Sequence, residues 1–449
     1  MFVGIGLNLV RGGGSASPAS LFAASEPGVW YDPSDLTTLF QDNLGATPVT
    51  APAQTVGLIL DKSGRGNHAT QATLAQRPIY GINPITGTRN LLTYTEQFDN
   101  AAWTKTNTTV SADNVTAPIG TLNADTATTT AAVGLVSRAV TISANSDTYT
   151  AYLYVKYISG SANIMLRSAL TGGTAVAKIL RINSQTGALV ASDTTYAITD
   201  VGGGWYRIAM QITNNGTNTT FNYQMYCTDD ATSTNAIAIW GAQLELGSTA
   251  TAYQKVVTQY EVTEAGVQSA SYIAFDGVDD GMVTGTITPA TNKAQVFAGV
   301  RKLSDVAGII YETSVAAFLN SGSISAFSGF NGAVAGAYWS VYSRGNGFLV
   351  TTTTGATFAA PSTAVVTQIA DIAAPTNTLR VNAAQQAAVT TTQGTGNYLA
   401  YPLYIGRRGG ASLPLNGRIY SLIVRFGANL TDGQITSTES WVNSKTGAY

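Results

Sequence analysis

Three carboxylates crowd the run Phe275-Asp276-Gly277-Val278-Asp279-Asp280. Clustered carboxylates and carbonyls are what a hard cation such as calcium takes as ligands. The same residues suit a plain turn, in which an Asp accepts backbone amides beside a glycine. The turn is the favoured reading of Asp276, Asp279 and Asp280, with calcium the alternative. His68, the one histidine, closes the Gly-rich loop Asp61-Lys62-Ser63-Gly64-Arg65-Gly66-Asn67-His68. No Gly-x-Ser-x-Gly elbow accompanies it, so neither a triad nor a His-rich metal site is expected, and its ring is assigned to bonding nearby backbone. No Gly-x-x-x-x-Gly-Lys-Ser/Thr loop cradles a phosphate. Cys227, the one cysteine, excludes an internal disulfide and reads as a buried, inert thiol. No catalytic residue and no cofactor other than that calcium alternative emerges.

Aromatic rings are the more plentiful chemistry. Trp103, Tyr152, Tyr154, Trp205, Tyr206, Tyr223 and Trp240 lie in the middle of the chain, and Tyr338, Trp339 and Tyr342 lie later. Rings stack on pyranose faces while amides and carboxylates take the hydroxyls. Trp205 and Trp240 sit in apolar alternation and are expected in a core. Trp103 and Trp339 have polar or small neighbours and are the better candidates for exposure. In Tyr152-Leu153-Tyr154-Val155-Lys156-Tyr157 a period of two puts Tyr152 and Tyr154 on one face. Candidate sugar contacts are therefore Trp103, Tyr152, Tyr154 and Trp339.

The elements that must position these residues are strands. Only 11% of the 449 residues are charged, and Thr runs such as Thr126 to Thr130 favour extended backbone. Strand-like runs punctuated by turn residues recur, among them Tyr149 to Ile158, Trp205 to Ile212, Ala236 to Leu246, Lys293 to Arg301 and Gly417 to Phe426. One helix is expected near the end, opened by the capping box Thr431 and Gln434 and stopped at Gly447. No repeat suggests a solenoid or propeller. A net charge of −2 without charge runs gives no footprint for nucleic acid. The apolar stretch Phe2 to Val10 is too short to span a bilayer and lacks the flanks of a secretory signal. It reads as an extended arm before a Gly/Ser hinge, with a disordered terminus as the alternative.

Trp30-Tyr31-Asp32, Asp61 to Thr70, Arg77-Pro78, Phe275 to Asp280 and Gly417-Arg418-Ile419-Tyr420 resemble the concanavalin A-like, laminin-G-like jelly rolls of phage and bacterial surface proteins. In that family these blocks follow one another within one domain. Here a different unit interrupts them. Asn90-Leu91-Leu92, Glu96-Gln97-Phe98, Trp103, Gly204-Trp205-Tyr206-Arg207 and Trp240 to Glu245 resemble the carbohydrate-binding-module jelly rolls of tailed-phage virion proteins. The resemblance implies an all-β chain of two jelly-roll sandwiches, one inserted into the other. Residues 1–19 form an arm and hinge, 20–88 and 258–449 one sandwich, and 89–257 the insert. Calcium binding in some laminin-G-like relatives is what keeps that alternative open. Related folds also host glycoside hydrolases, which need two carboxylates about the scissile bond. None of the seven Glu residues has an Asp two positions later, so the laminarinase-like Glu-x-Asp-x-x-Glu signature is absent.

The expectation is a non-enzymatic structural protein of a phage virion, a fibre, spike or appendage that attaches to host-surface glycans. Phe2, Val3, Ile5, Leu7 and Leu9 of the arm would anchor it to other virion proteins, without membrane insertion. A homo-oligomer, expected to be a trimer, fits the gain that weak sugar contacts draw from multivalency. A capsid decoration or head-fibre protein without sugar specificity is the alternative, and a depolymerase the more distant one.

Overall fold

A computed structural model describes residues 17–228, 234–315, 320–409 and 411–449. The arm residues Phe2, Val3, Ile5, Leu7 and Leu9 lie outside the described residues. β-Branched and aromatic residues alternate with small polar ones along much of the chain, and about half of the residues, 51%, lie in strands against 6% in helix. One unit takes the chain up to Ile85 together with Ala270–Tyr449, and the other takes Thr86–Ser269. No helix among the described residues is long and apolar enough to cross a membrane.

The discontinuous unit is a sandwich of two sheets. One runs Ile79–Pro84, Ser269–Asp276, Asn416–Phe426, Lys293–Lys302, Ser362–Asp371, Thr376–Val381 and Ala384–Val389 in spatial order. The other begins with the short strands Leu39–Phe40, Leu58–Ile59 and Ala69–Thr70 and continues through Met282–Ile287, Tyr401–Ile405, Gly308–Thr313, Ser323–Phe330, Ala335–Arg344 and Leu349–Thr353. Val29, Tyr31, Val296, Trp339, Val366 and Val424 are among the side chains that fill the space between them.

The strand Asn416–Phe426 joins the early and late parts of this unit. Its first half pairs with the strand Ser269–Asp276, Ile419 facing Ile273, and its second half with Gly28–Tyr31, Ile423 facing Trp30. Buried Arg425 ties the same seam. Its guanidinium donates to the Leu21 carbonyl at 2.7 Å, to Gln295 Oε1 at 2.5 Å and to Glu26 at 2.7 Å.

The loop from Asp61 to His68 is built on one carboxylate. Asp61 accepts the Trp30 amide at 2.9 Å, the Ser63 amide at 2.9 Å and hydroxyl at 2.7 Å, and the Asn67 amide at 3.1 Å. The Asp61 amide donates to His68 Nδ1 at 2.9 Å, so the histidine bonds backbone as its loop setting implies. Gly64 and Gly66 take φ of 79° and 72°, where a side chain would be strained. The helix Asp432–Thr446 opens on the Thr431–Gln434 capping box and ends at Gly447 with φ 61°. Its fully buried Glu439 receives a bidentate pair from Arg380, at 2.8 and 3.0 Å.

The inserted unit is also a sandwich. One sheet runs Tyr196–Gly202, Trp205–Thr213, Thr148–Gly160, Asn235–Leu246, Leu122–Thr129 and Thr108–Thr116. The facing sheet runs Leu189–Ser192, Val176–Asn183, Asn163–Thr171, Thr220–Tyr226, Leu135–Thr141 and Thr104–Thr106. Leu153, Ile208, Leu166, Phe221 and Ile239 meet between them, and Cys227 is buried there as a free thiol. The hairpin Gln254–Thr258 and Glu261–Glu264 belongs to this unit, whose last residue is Ser269.

Candidate functional site

Alternation along the strand Thr148–Gly160 sends Tyr149, Ala151, Leu153 and Val155 into the core of the insert. Thr150, Tyr152, Tyr154 and Lys156 therefore point to the outer face of the sheet. Beside it, Tyr152 pairs with Gln243 but Tyr154 with Trp240, so Gly241 and Ala242 stand opposite the single Leu153. This is a β-bulge, and it reverses the parity of the strand. Ile237 and Ile239 face the core before it, Ala242 and Leu244 after it. Gly241 takes φ 65° at the bulge, and a Cβ there would lie 3.0 Å from the Tyr154 ring.

The bulge leaves Trp240 against Tyr154 on the outer face, ring centroids 5.1 Å apart. Tyr253 closes on Trp240 at 4.7 Å, and its hydroxyl sits 2.7 Å from Thr95 Oγ1. These three rings floor a cleft of about 370 Å³, within the range of small-molecule sites. Exposed Ile119, from the turn between Thr108–Thr116 and Leu122–Thr129, forms an apolar lip.

The cleft's polar groups come from far apart in the chain. Glu96 accepts Asn123 Nδ2 at 2.9 Å and pairs with Lys255 at 2.8 Å. Glu264 pairs with Arg89 at 2.8 Å and accepts Gln254 at 2.9 Å. Burial pushes the Glu264 carboxyl up, but the bonds from Arg89 and Gln254 outweigh it and hold the group below its ordinary value. Burial, reinforced by the charge of Glu96, drives the Tyr253 phenol well above its own. Both carboxylates are thus partnered by cations. Such groups accept hydrogen bonds from hydroxyls, and the lowered Glu264 carboxyl does not suit a general acid, which needs a raised pKa. Aromatic floor, apolar lip and charged acceptors together can hold a sugar ring by its face and its hydroxyls.

Of the candidate sugar contacts, Tyr154 lies in this cleft, and Trp240, expected in a core, lines it beside Tyr154 while being almost fully buried. The candidacy of Trp103 and Trp339 for exposure is corrected, and Tyr152 is closed off as well. Trp103 is buried against Phe98 at 4.9 Å and donates its indole N–H to the Tyr94 carbonyl. Trp339 is fully buried in the discontinuous unit. Its neighbours Tyr338 and Ser340 alternate to the opposite face, so the polarity next to it in sequence describes the other side of the sheet. Tyr152 points outward but is covered by the segment after Leu246, donating to the Thr251 carbonyl at 3.2 Å. Glu96, Tyr253, Lys255 and Glu264 were not foreseen as site residues. Glu96 stands in the Glu96-Gln97-Phe98 block, but nothing local shows that it meets Tyr253 and Glu264.

The carboxylates of Asp276, Asp279 and Asp280 have ligand atoms within 4.8 Å of one another. Asp276 Oδ1 accepts the amides of Val278 at 2.8 Å and Asp279 at 3.2 Å, and Asp280 accepts the Asp276 amide at 3.0 Å. Gly277 supplies φ 77°. Burial, and then the neighbouring Asp276 charge, push the Asp280 carboxyl up to about 7. Turn geometry accounts for these bonds without an ion.

No protein-family model matches this chain, and no curated protein matches it. Among solved structures, a NanB structure with Optactamide aligns at 14% identity over 33% of this chain and 24% of its own, TM-score 0.26. The CBM40 domain of Ruminococcus gnavus IT-sialidase bound to alpha2,3 sialyllactose aligns at 15% identity over 33% of this chain and 84% of its own, TM-score 0.27. A native heptameric SAP-like pentraxin from Limulus polyphemus aligns at 13% identity over 37% and 79%, TM-score 0.31. Likenesses this partial leave the chemistry of the cleft as the ground for a functional reading.

Proposed function

We propose that this chain is a non-enzymatic, oligomeric surface protein of a tailed-phage virion, and that its inserted sandwich holds host-surface glycans in the Tyr154–Trp240–Tyr253 cleft. The observation that carries the glycan reading is the cleft itself, with three aromatic rings packed edge-on and tilted on its floor and carboxylates paired with Lys255 and Arg89 on its walls. Virion membership is supported by the sequence resemblance to phage jelly rolls, with the residues before the hinge as the attachment arm. Trimerisation would multiply a weak sugar contact by raising the effective concentration of its neighbours.

A glycan array with the purified chain and with Tyr154→Ser tests the binding. The expected result is a restricted set of glycans bound by the native chain and lost from the variant. Absence of binding by the native chain removes the adhesive role and leaves an architectural one on the capsid. A density map of the intact particle showing where residues 1–20 dock separates a tail fibre from a head decoration, and release of oligosaccharide from capsule would indicate a depolymerase.

A further inference from the structure

A second recess lies on the outer face of the insert, beside the cleft. It measures about 250 Å³ and is lined by Thr150 of Thr148–Gly160, by Arg207 and Gln211 of Trp205–Thr213, and by residues 248–250. Ile208, Met210 and Ile212 turn into the core, so Arg207 and Gln211 face outward. The two recesses share their walls. Arg207 is the direct partner of Tyr154 across the strand pair, and residues 248–250 run on into Ala252 and Tyr253 of the cleft. At the rise of a strand, Thr150 and Tyr154 stand about 13 Å apart, within reach of one short oligosaccharide.

The lining of this recess carries one guanidinium and no carboxylate. Arg207 lies 5.4 Å over the Tyr152 ring, whose hydroxyl donates to the Thr251 carbonyl, so the cation is seated on a fixed aromatic face. Among the described residues no group accepts a hydrogen bond from Arg207 or forms an ion pair with it. Its planar fork is thus unspent, and that fork matches a carboxylate. Glu245, opposite Thr150 on the next strand, is buried and engaged by the Thr251 amide at 2.7 Å and hydroxyl at 2.6 Å. Gln211 donates to the Ser248 carbonyl and ties the wall to the sheet. In the cleft, by contrast, Lys255 and Arg89 are already paired with Glu96 and Glu264.

We infer that the recess at Arg207 is a second subsite of the glycan site, taking a carboxylate-bearing sugar residue of the same oligosaccharide whose neighbouring ring lies in the cleft. The carboxylate meets the Arg207 guanidinium through charge-assisted hydrogen bonds, and the hydroxyls of Ser248 and Thr249 border the same ring. This inference rests on the reading that the cleft holds a glycan, and it names the class of that glycan as acidic.

Calorimetric titration of the full chain with hyaluronan, oligogalacturonate and alginate tetrasaccharides, each beside its carboxyl-reduced counterpart, tests it. At least one uronate tetrasaccharide is expected to bind roughly tenfold more tightly than its reduced form. Arg207→Gln is expected to bring that uronate down to the affinity of the reduced form, with the cooperative melt intact. Thr249→Asp, on the exposed wall, places a carboxylate in the recess and is expected to do the same without altering Arg207. Tyr154→Ser is expected to weaken both forms alike. Equal affinity for the two forms in the native chain overturns the inference, as does a preference for the uronate that survives Arg207→Gln. Reduced forms that bind the native chain and are lost in Tyr154→Ser would then still support the cleft. A preference lost in Arg207→Gln, with binding untouched by Tyr154→Ser, supports the recess and sinks the cleft. Binding of none of the three uronates overturns the inference outright.

Discussion

Gly241→Ala tests whether the bulge sets the cleft. Gly241 sits at φ 65°, where a side chain costs about 1–2 kcal/mol. The added Cβ would lie 3.0 Å from Tyr154 Cδ2 and 3.3 Å from Cε2, so the ring must also move by a few tenths of an ångström. The expected cost is about 2 kcal/mol in all, which for a unit of this size is a fall of roughly 4–8 °C in its melting temperature. Gly204→Ala is the control. Gly204 has a similar φ of 80°, but its Cβ would meet only the flexible Lys156 side chain, at 3.6 Å. It should lose about 1 kcal/mol through the backbone and keep full glycan affinity. Thermal unfolding and glycan titration of both variants provide the comparison. If Gly241→Ala binds as tightly as the native chain, the bulge does not hold Tyr154 and Trp240 in a binding geometry, and the account of the cleft fails.

Other expectations concern the frame. Asp61→Ala removes an acceptor for four donors and should cost about 3 kcal/mol, read from denaturant midpoints, with sugar binding intact. Glu439→Ala strands Arg380 and should cost about 3 kcal/mol, with loss of helix docking seen as faster amide exchange over Asp432–Thr446. Asp280 has a native pKa of about 7 against an ordinary 3.8, so the native state keeps a proton the unfolded state has released. Stability is therefore lost as pH rises from about 4 through 7. Asp280→Asn should match the native chain at pH 4 and exceed it at pH 8 by roughly 1–2 kcal/mol, allowing for solvent screening at this turn. An equal offset at both pH values would refute the assignment. Ile79–Pro84 and Ser269–Asp276 are neighbouring strands, so a chain with residues 86–269 replaced by a short Gly/Ser linker should fold into the discontinuous sandwich alone. Loss of the near-ultraviolet dichroism, without a cooperative melt, would speak against it.

Local rules carried far where the chemistry was local. Thr431, Gln434 and Gly447 announced the helix, and the separated Asp61 and Phe275 blocks a sandwich interrupted by another. Exposure was less legible. The neighbours of Trp339 make it a candidate for exposure, yet in a strand the flanking residues report on the opposite face, and its ring is fully buried. Trp103 has polar neighbours in sequence but seats its ring against Phe98 and Tyr223 inside the insert. The parity reversal at Gly241 has no signature in composition. Without it, Trp240 cannot share an outer face with Tyr154 while Leu244 shares the core with Ile239. The cleft was hidden for a related reason, since Glu96 and Glu264 are brought together only by the completed fold.

The seam strand Asn416–Phe426 also orders events during synthesis. Its partners Gly28–Tyr31, Ser269–Asp276 and Lys293–Lys302 all leave the ribosome before it does. The insert is contiguous and can finish folding while residues 17–85 still wait with unpaired edges. Those edges stay open for the time taken to translate more than three hundred further residues, some tens of seconds at about 5–20 residues per second. Short strands such as Leu58–Ile59 and Ala69–Thr70 offer little edge for stray pairing in that interval, which suits a half-sandwich that must wait for its last strand.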